Sequence, residues 1–158
     1  MKYQHKKHSS GMSLAELLVA MTVLIISLLG AVKFRYYSNL DAHKSEVQNK
    51  AVRLGSTIMG RWKIMGDYSS YDLAADMSDV LTISELESGP AITGGFATLG
   101  NYLIDFENVN FYVTLGNIAS TSSKPETLTI TVGWMIDNEQ WDISEGYRTV
   151  EITSYAEY

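Results

Sequence analysis

The apolar and polar positions divide the chain into three regimes. From Leu14 to Val32 the sequence LAELLVAMTVLIISLLGAV is apolar on every side, with Glu16 its only charge. This run is close to the roughly 20 residues needed to cross a bilayer core, so a transmembrane helix is expected. Beyond it Leu40, Val47, Ala51, Leu54, Ile58, Trp62 and Met65 recur at steps of 7, 4, 3, 4, 4 and 3, a single apolar stripe at helical period. Lys33, Arg35, Lys44, Glu46, Lys50 and Arg53 fall mainly between those positions, on the solvated or neighbour-facing side. The helix therefore continues over Leu14–Met65, 52 residues or roughly 78 Å at about 1.5 Å per residue. Gly55 and Gly60 are its weak points.

The third regime alternates. Val80–Ile83, Tyr102–Phe106, Val109–Leu115, Thr127–Ile136 and Tyr147–Tyr155 are rich in β-branched and aromatic residues and predict strands. In TLTITVGWMI, Leu128, Ile130, Val132, Trp134 and Ile136 form one face, suited to cover the helical stripe. Asp137-Asn138-Glu139 reads as a turn leading into a strand with Val150, Ile152 and Tyr155, which predicts a terminal antiparallel hairpin. Ser88–Gly100, with Gly89-Pro90 and Gly94-Gly95, and Ser120–Lys124 read as connecting loops. The expected fold class is α+β: a long N-terminal helix packed on a small C-terminal antiparallel sheet.

Composition sharpens this picture. At 158 residues the chain holds one domain and an anchor. It has no Cys and a formal net charge of -6, so thiolate chemistry is excluded and a broad phosphate-binding surface is disfavoured. No nucleic acid partner is expected. The first eleven residues carry Lys2, Lys6 and Lys7 and no acid; without them nine basic side chains would face eighteen acidic ones, a formal -9. Basic residues ahead of the apolar run hold that end in the cytoplasm and send the C-terminal part across. The run exceeds the 7–15 residues of a secretory h-region and no small-x-small site follows it, so a retained helix is expected. His5, His8 and His43 all lie before residue 66, which leaves the head without a histidine base; no cofactor and no enzymatic activity are expected. Asp67, Asp72, Asp76 and Asp79, like Asp137 and Glu139, lack EF-hand spacing and read as solvated acids. Trp134, Trp141, Tyr147, Tyr155 and Tyr158 read as core or interface aromatics.

The segment KKHSSGMSLAELLVAMTVLIISLLGAV closely resembles the class III signal sequence and N-terminal helix of type IV pilins and pseudopilins. The resemblance implies cleavage by prepilin peptidase between Gly11 and Met12, and N-methylation of the new terminus at Met12. It also implies that the Glu four residues beyond the cut, Glu16, pairs with the terminal amine of a neighbouring subunit. A lone carboxylate at bilayer centre costs about 2.5–3.5 kcal/mol, somewhat less near the interface, so a partner for Glu16 is physically reasonable. Removing either member of such a pair is costly even where the pair itself adds little stability.

The organisation implied is a leader at 1–11, a long helix at 12–65 with its transmembrane part at 14–32, and a β-rich head at 66–158. The implied partners are prepilin peptidase, other pilin or pseudopilin subunits, the inner-membrane assembly platform and, before assembly, membrane lipid. The protein is then a single-pass inner-membrane precursor, N-terminus inside, that moves into a pilus or pseudopilus. Met12 departs from the Phe common after the cut. Gly30-Ala31-Val32-Lys33 replaces the Pro found there in many major pilins, and no Cys pair is present, so a minor, initiating subunit is favoured over a major one. A type II secretion pseudopilin, a tip adhesin or DNA-uptake subunit, and a plain membrane-anchored domain remain as alternatives.

Overall fold

The computed structural model describes residues 13–66, 68–119, 125–135 and 148–156. The chain divides into two compact units, Met1–Ala42 and His43–Tyr158, and helix α1, Leu14–Met65, contributes to both. Its bounds coincide with those read from the apolar pattern.

In the first unit the described part of α1 exposes its apolar side chains all round, Leu14, Leu24, Ile26 and Val32 among them. Thr22 and Ser27 interrupt the run without leaving polar groups open. The Thr22 hydroxyl donates to the carbonyls of Leu18 and Val19 at 3.1 and 2.8 Å, and Ser27 Oγ donates to that of Val23 at 2.8 Å. Such back-bonding satisfies hydroxyls where no water is available.

In the second unit α1 buries Val47, Ala51, Leu54, Gly55, Ile58, Met59 and Trp62, most of the stripe and its immediate neighbours. Met65, expected to continue it, is 54% exposed; the stripe ends with Trp62, one turn earlier. A short helix α2, Leu73–Met77, follows. Its N-cap is Asp72, which accepts from the amides of Ala74 and Ala75 at 2.9 and 3.3 Å, satisfying donors that the first turn cannot.

Five strands form one antiparallel sheet in chain order: β1 Thr82–Leu86, β2 Ala97–Phe106, β3 Val109–Ile118, β4 Thr127–Trp134 and β5 Arg148–Tyr155. β2 and β3 meet at a two-residue turn in which Glu107 and Asn108 have φ of 52° and 61°, the positive values that match strand twist in tight hairpins. Glu107 is tied to α1 by Arg53 at 3.1 Å and Lys50 at 3.9 Å. β4 and β5 pair from Thr127↔Tyr155 to Trp134↔Arg148, the terminal hairpin expected from sequence; its turn residues lie outside the described set.

Leu128, Ile130, Val132 and Trp134 form the buried inner face of β4, together with Phe111, Val113 and Leu115 of β3. Each fully buried aliphatic side chain contributes about 1.5–3 kcal/mol relative to exposure. Helix and sheet approach closely at Gly55, where an added Cβ would lie 2.6 Å from Ile152 Cδ1 and 3.2 Å from Val132 Cγ2. Gly55 is thus a contact point rather than a weak point.

The outer face is covered as well. Thr114, Thr129 and Thr131 are buried beneath the segment 89–96, which runs back across the strands. Pro90 lies against Gly133, where a Cβ would come within 2.9 Å, and Ile92 lies against Gly116. Glu151 links segment and sheet, accepting from Thr93 Oγ1 at 3.3 Å and Thr129 Oγ1 at 3.2 Å. The region read as a connecting loop is therefore a strap over the polar face, and its last residues, Ala97–Gly100, already belong to β2.

Candidate functional site

Gly11 and Met12 lie outside the described residues, so the geometry of the N-terminal site begins at Ser13. The Ser13 amide donates to Glu16 Oε2 at 2.9 Å, and the Glu16 amide donates to Ser13 Oγ at 3.2 Å. This reciprocal pair is a capping box. The Leu17 amide bonds the Ser13 carbonyl at 3.1 Å, completing the first turn. A carboxylate here also complements the positive end of the helix dipole. The Ser-x-x-Glu ahead of an apolar run is itself a helix-start signal in the sequence, separate from the offset to Gly11 that singles out Glu16.

The cap determines where the charge sits. It folds the carboxylate back onto the amide of Ser13, the residue bonded directly to Met12. One carboxylate offers about four lone-pair sites, so a single amide bond does not exhaust it. Around Glu16, Ala15, Val19 and Ala20 line a shallow depression, leaving the acid accessible from the side of the helix.

Residues 6–32 match the prokaryotic N-terminal methylation motif. The matched span contains Gly11, Met12 and Glu16 and covers 27 of 158 residues. Neither a curated protein nor a solved structure matches the chain. The motif supports a type IV pilin- or pseudopilin-like precursor, and it implies, in general terms, processing by prepilin peptidase and assembly among pilin-type subunits. Among the described residues α1 is long and apolar enough to cross a membrane, with mean hydropathy 2.4 in its most apolar stretch; with the motif, this indicates a membrane-anchored protein. Precursors bearing this motif are structural rather than catalytic.

The head acids take local structural positions. Asp72 caps α2. Asp76 accepts from Tyr71 Oη at 2.9 Å and lies 4.0 Å from Arg61. No group of three or more metal-ligating side chains occurs among the described residues; Asp67, Asp137 and Glu139 are outside them. A polar groove runs along Ser69, Asp72, Glu85 and Asn101, with Tyr71 and Tyr102 buried beside it. Burial raises the pKa of both phenols, and Tyr71 is raised further by its bond to Asp76, so both are protonated at neutral pH. Trp134 is buried in the core against Phe111. Tyr155 is 64% exposed, on the outward side of β5 rather than in the core, while Trp141, Tyr147 and Tyr158 lie outside the described residues.

Proposed function

We propose that the chain is the precursor of a structural subunit of a type IV pilus or related filament. It is cut after Gly11, methylated at Met12 and assembled through its N-terminal helix as a minor, initiating subunit. Residues 1–11 serve as leader, 12–65 as assembly helix with its transmembrane part at 14–32, and 66–158 as head. The observation that carries the reading is the methylation motif at residues 6–32, with Glu16 four residues beyond the cut at the start of α1. Its carboxylate, held against the Ser13 amide at 2.9 Å, supports a role for Glu16 as the anion that pairs with the amine of a neighbouring subunit. Basic residues before the helix support an N-in orientation in the inner membrane. The absence of Pro over Gly30–Lys33 and of Cys supports the minor-subunit reading by resemblance.

Co-expression with a prepilin peptidase, followed by mass spectrometry of the purified chain, tests this directly. The expected product begins at a singly methylated Met12, and Gly11→Ala abolishes the cut. A chain left intact beside an active peptidase overturns the proposal. Counting copies per filament in isolated fibres separates a minor from a major subunit, and the machinery required for assembly separates a pilus from a secretion pseudopilus.

A further inference from the structure

Five residues directly after the apolar run, Lys33, Phe34, Arg35, Tyr36 and Tyr37, are all exposed, with Phe34 at 74%, Tyr36 at 65% and Tyr37 at 59%. We infer that they form a collar around α1 that binds the anionic phospholipid headgroups at the far membrane surface. The inference rests on the membrane-spanning reading of Leu14–Val32.

Three observations carry it. First is position: nineteen residues from Leu14 to Val32 rise roughly 28 Å, matching a hydrocarbon core of about 30 Å. Lys33 thus falls where apolar lipid gives way to headgroups. Second is azimuth: at about 100° per residue the two cations stand roughly 200° apart, with the three aromatic rings distributed between them around the full turn. Cations on nearly opposite sides meet headgroups on both flanks of the helix, whereas docking on one partner protein would gather them at spacings of three and four on one face.

Third is chemistry. Among the described residues neither Lys33 nor Arg35 has an ion-pair partner, and the next carboxylate along the helix is Asp41, about two turns beyond Lys33. Aromatic rings with a polar tip favour the membrane interface, and Tyr36 and Tyr37 meet edge to face at 5.7 Å. Lys and Arg placed there gain attraction to anionic lipid phosphates. The collar sets the depth of the helix before assembly and must release its lipids when the subunit leaves the bilayer.

The test reconstitutes the full chain in phosphatidylcholine vesicles doped with spin-labelled phosphatidylglycerol or spin-labelled phosphatidylcholine and measures the motionally restricted fraction of each. The wild-type chain should prefer phosphatidylglycerol by about two- to fivefold at low salt, from two cations spread over one lipid annulus. The preference should fall towards one in 1 M salt, and Lys33→Gln/Arg35→Gln should remove more of it than Lys6→Gln/Lys7→Gln in the basic segment ahead of the helix. Equal association of both lipids with the wild type, or a preference undiminished in the Lys33→Gln/Arg35→Gln variant, overturns the inference. So does a variant that blocks filament assembly in cells with its lipid preference intact, since the collar then serves a protein partner. Release of the wild-type chain from the vesicles by alkaline carbonate overturns the membrane reading itself and the collar with it; retention with no lipid preference overturns the collar alone.

Discussion

Ser13 and Glu16 each hold the other's backbone amide, at 3.2 and 2.9 Å, at the entry to α1. The carboxylate proposed to pair with a neighbouring subunit's amine thus already has a structural task within its own chain. A cap and an anion are different demands on one side chain, and they can be separated.

Glutamine at N3 completes a capping box as glutamate does, but carries no charge. Glu16→Gln should therefore keep the first turn of α1 while reducing assembly as strongly as Glu16→Ala. Ser13→Ala should loosen the helix start by about 1 kcal/mol with the anion retained, and assemble more efficiently than either Glu16 variant. Filament yield and amide exchange over residues 14–18 read the two effects independently. Normal filaments from Glu16→Gln would mean that the cap, and not the charge, is what assembly needs.

Gly55 and Gly60 lie in the same helix and should respond oppositely to alanine. At Gly55 the added methyl meets Ile152 and Val132, whereas at Gly60 nothing lies within 4 Å. Gly60→Ala should stabilise by about 0.5–1 kcal/mol through helix propensity. Gly55→Ala gains the same propensity but overpacks the helix against β4 and β5, at a cost of about 1–3 kcal/mol. Thermal unfolding of the full chain in detergent should raise the midpoint for the first and lower it for the second.

That contrast marks how far the sequence could be read. The helix Leu14–Met65 and the inner face of β4 were legible because periodicity records burial directly, every third or fourth residue in one and every second in the other. Gly55 was misread because propensity describes a glycine by itself, while its use depends on Ile152, almost a hundred residues away. The N-terminal part of β2 was hidden by Gly94, Gly95 and Gly100, which read as loop; the register shift between Thr98 and Gly100 accommodates the last of these within the strand. α2 was too short for its period to show inside an acidic run, although Asp72 is a usable cap signal. Glu16 could be found by its offset from Gly11, but its bond to Ser13 required reading the same residues as a helix start.

Thr131 provides a test of the strap. Its Oγ1 is buried without a hydrogen-bond partner among the described residues, under the cover of 89–96. A buried hydroxyl left unpaired costs about 1–3 kcal/mol, and valine has nearly the same shape. Thr131→Val should therefore be neutral or stabilising by up to about 1 kcal/mol, against the usual trend for substitution in a sheet centre. A loss of more than about 1 kcal/mol in chemical denaturation would mean that the hydroxyl is satisfied and that the strap lies differently over β4.

Tyr71 makes the stability of the head dependent on alkaline pH. Its ring stacks on Trp62 at 5.5 Å and its hydroxyl donates to Asp76. Burial first, then the bond to Asp76, raises its pKa above the ordinary value of 10.0. The folded state therefore holds the phenolic proton more tightly than the unfolded state. The resulting stabilisation is intact below about pH 10 and is lost as pH rises from there towards the folded-state pKa, at up to about 1.4 kcal/mol per pH unit. Tyr102, raised in the same direction by burial, adds to the slope. Midpoints measured between about pH 8 and about pH 11 should fall more steeply above pH 10 in the wild type than in Tyr71→Phe, which has no proton to lose there. Tyr71→Phe should be the less stable of the two at pH 8, lacking the bond to Asp76, with the gap narrowing as pH rises; parallel curves would mean that Tyr71 ionises as freely in the folded head as in the unfolded chain.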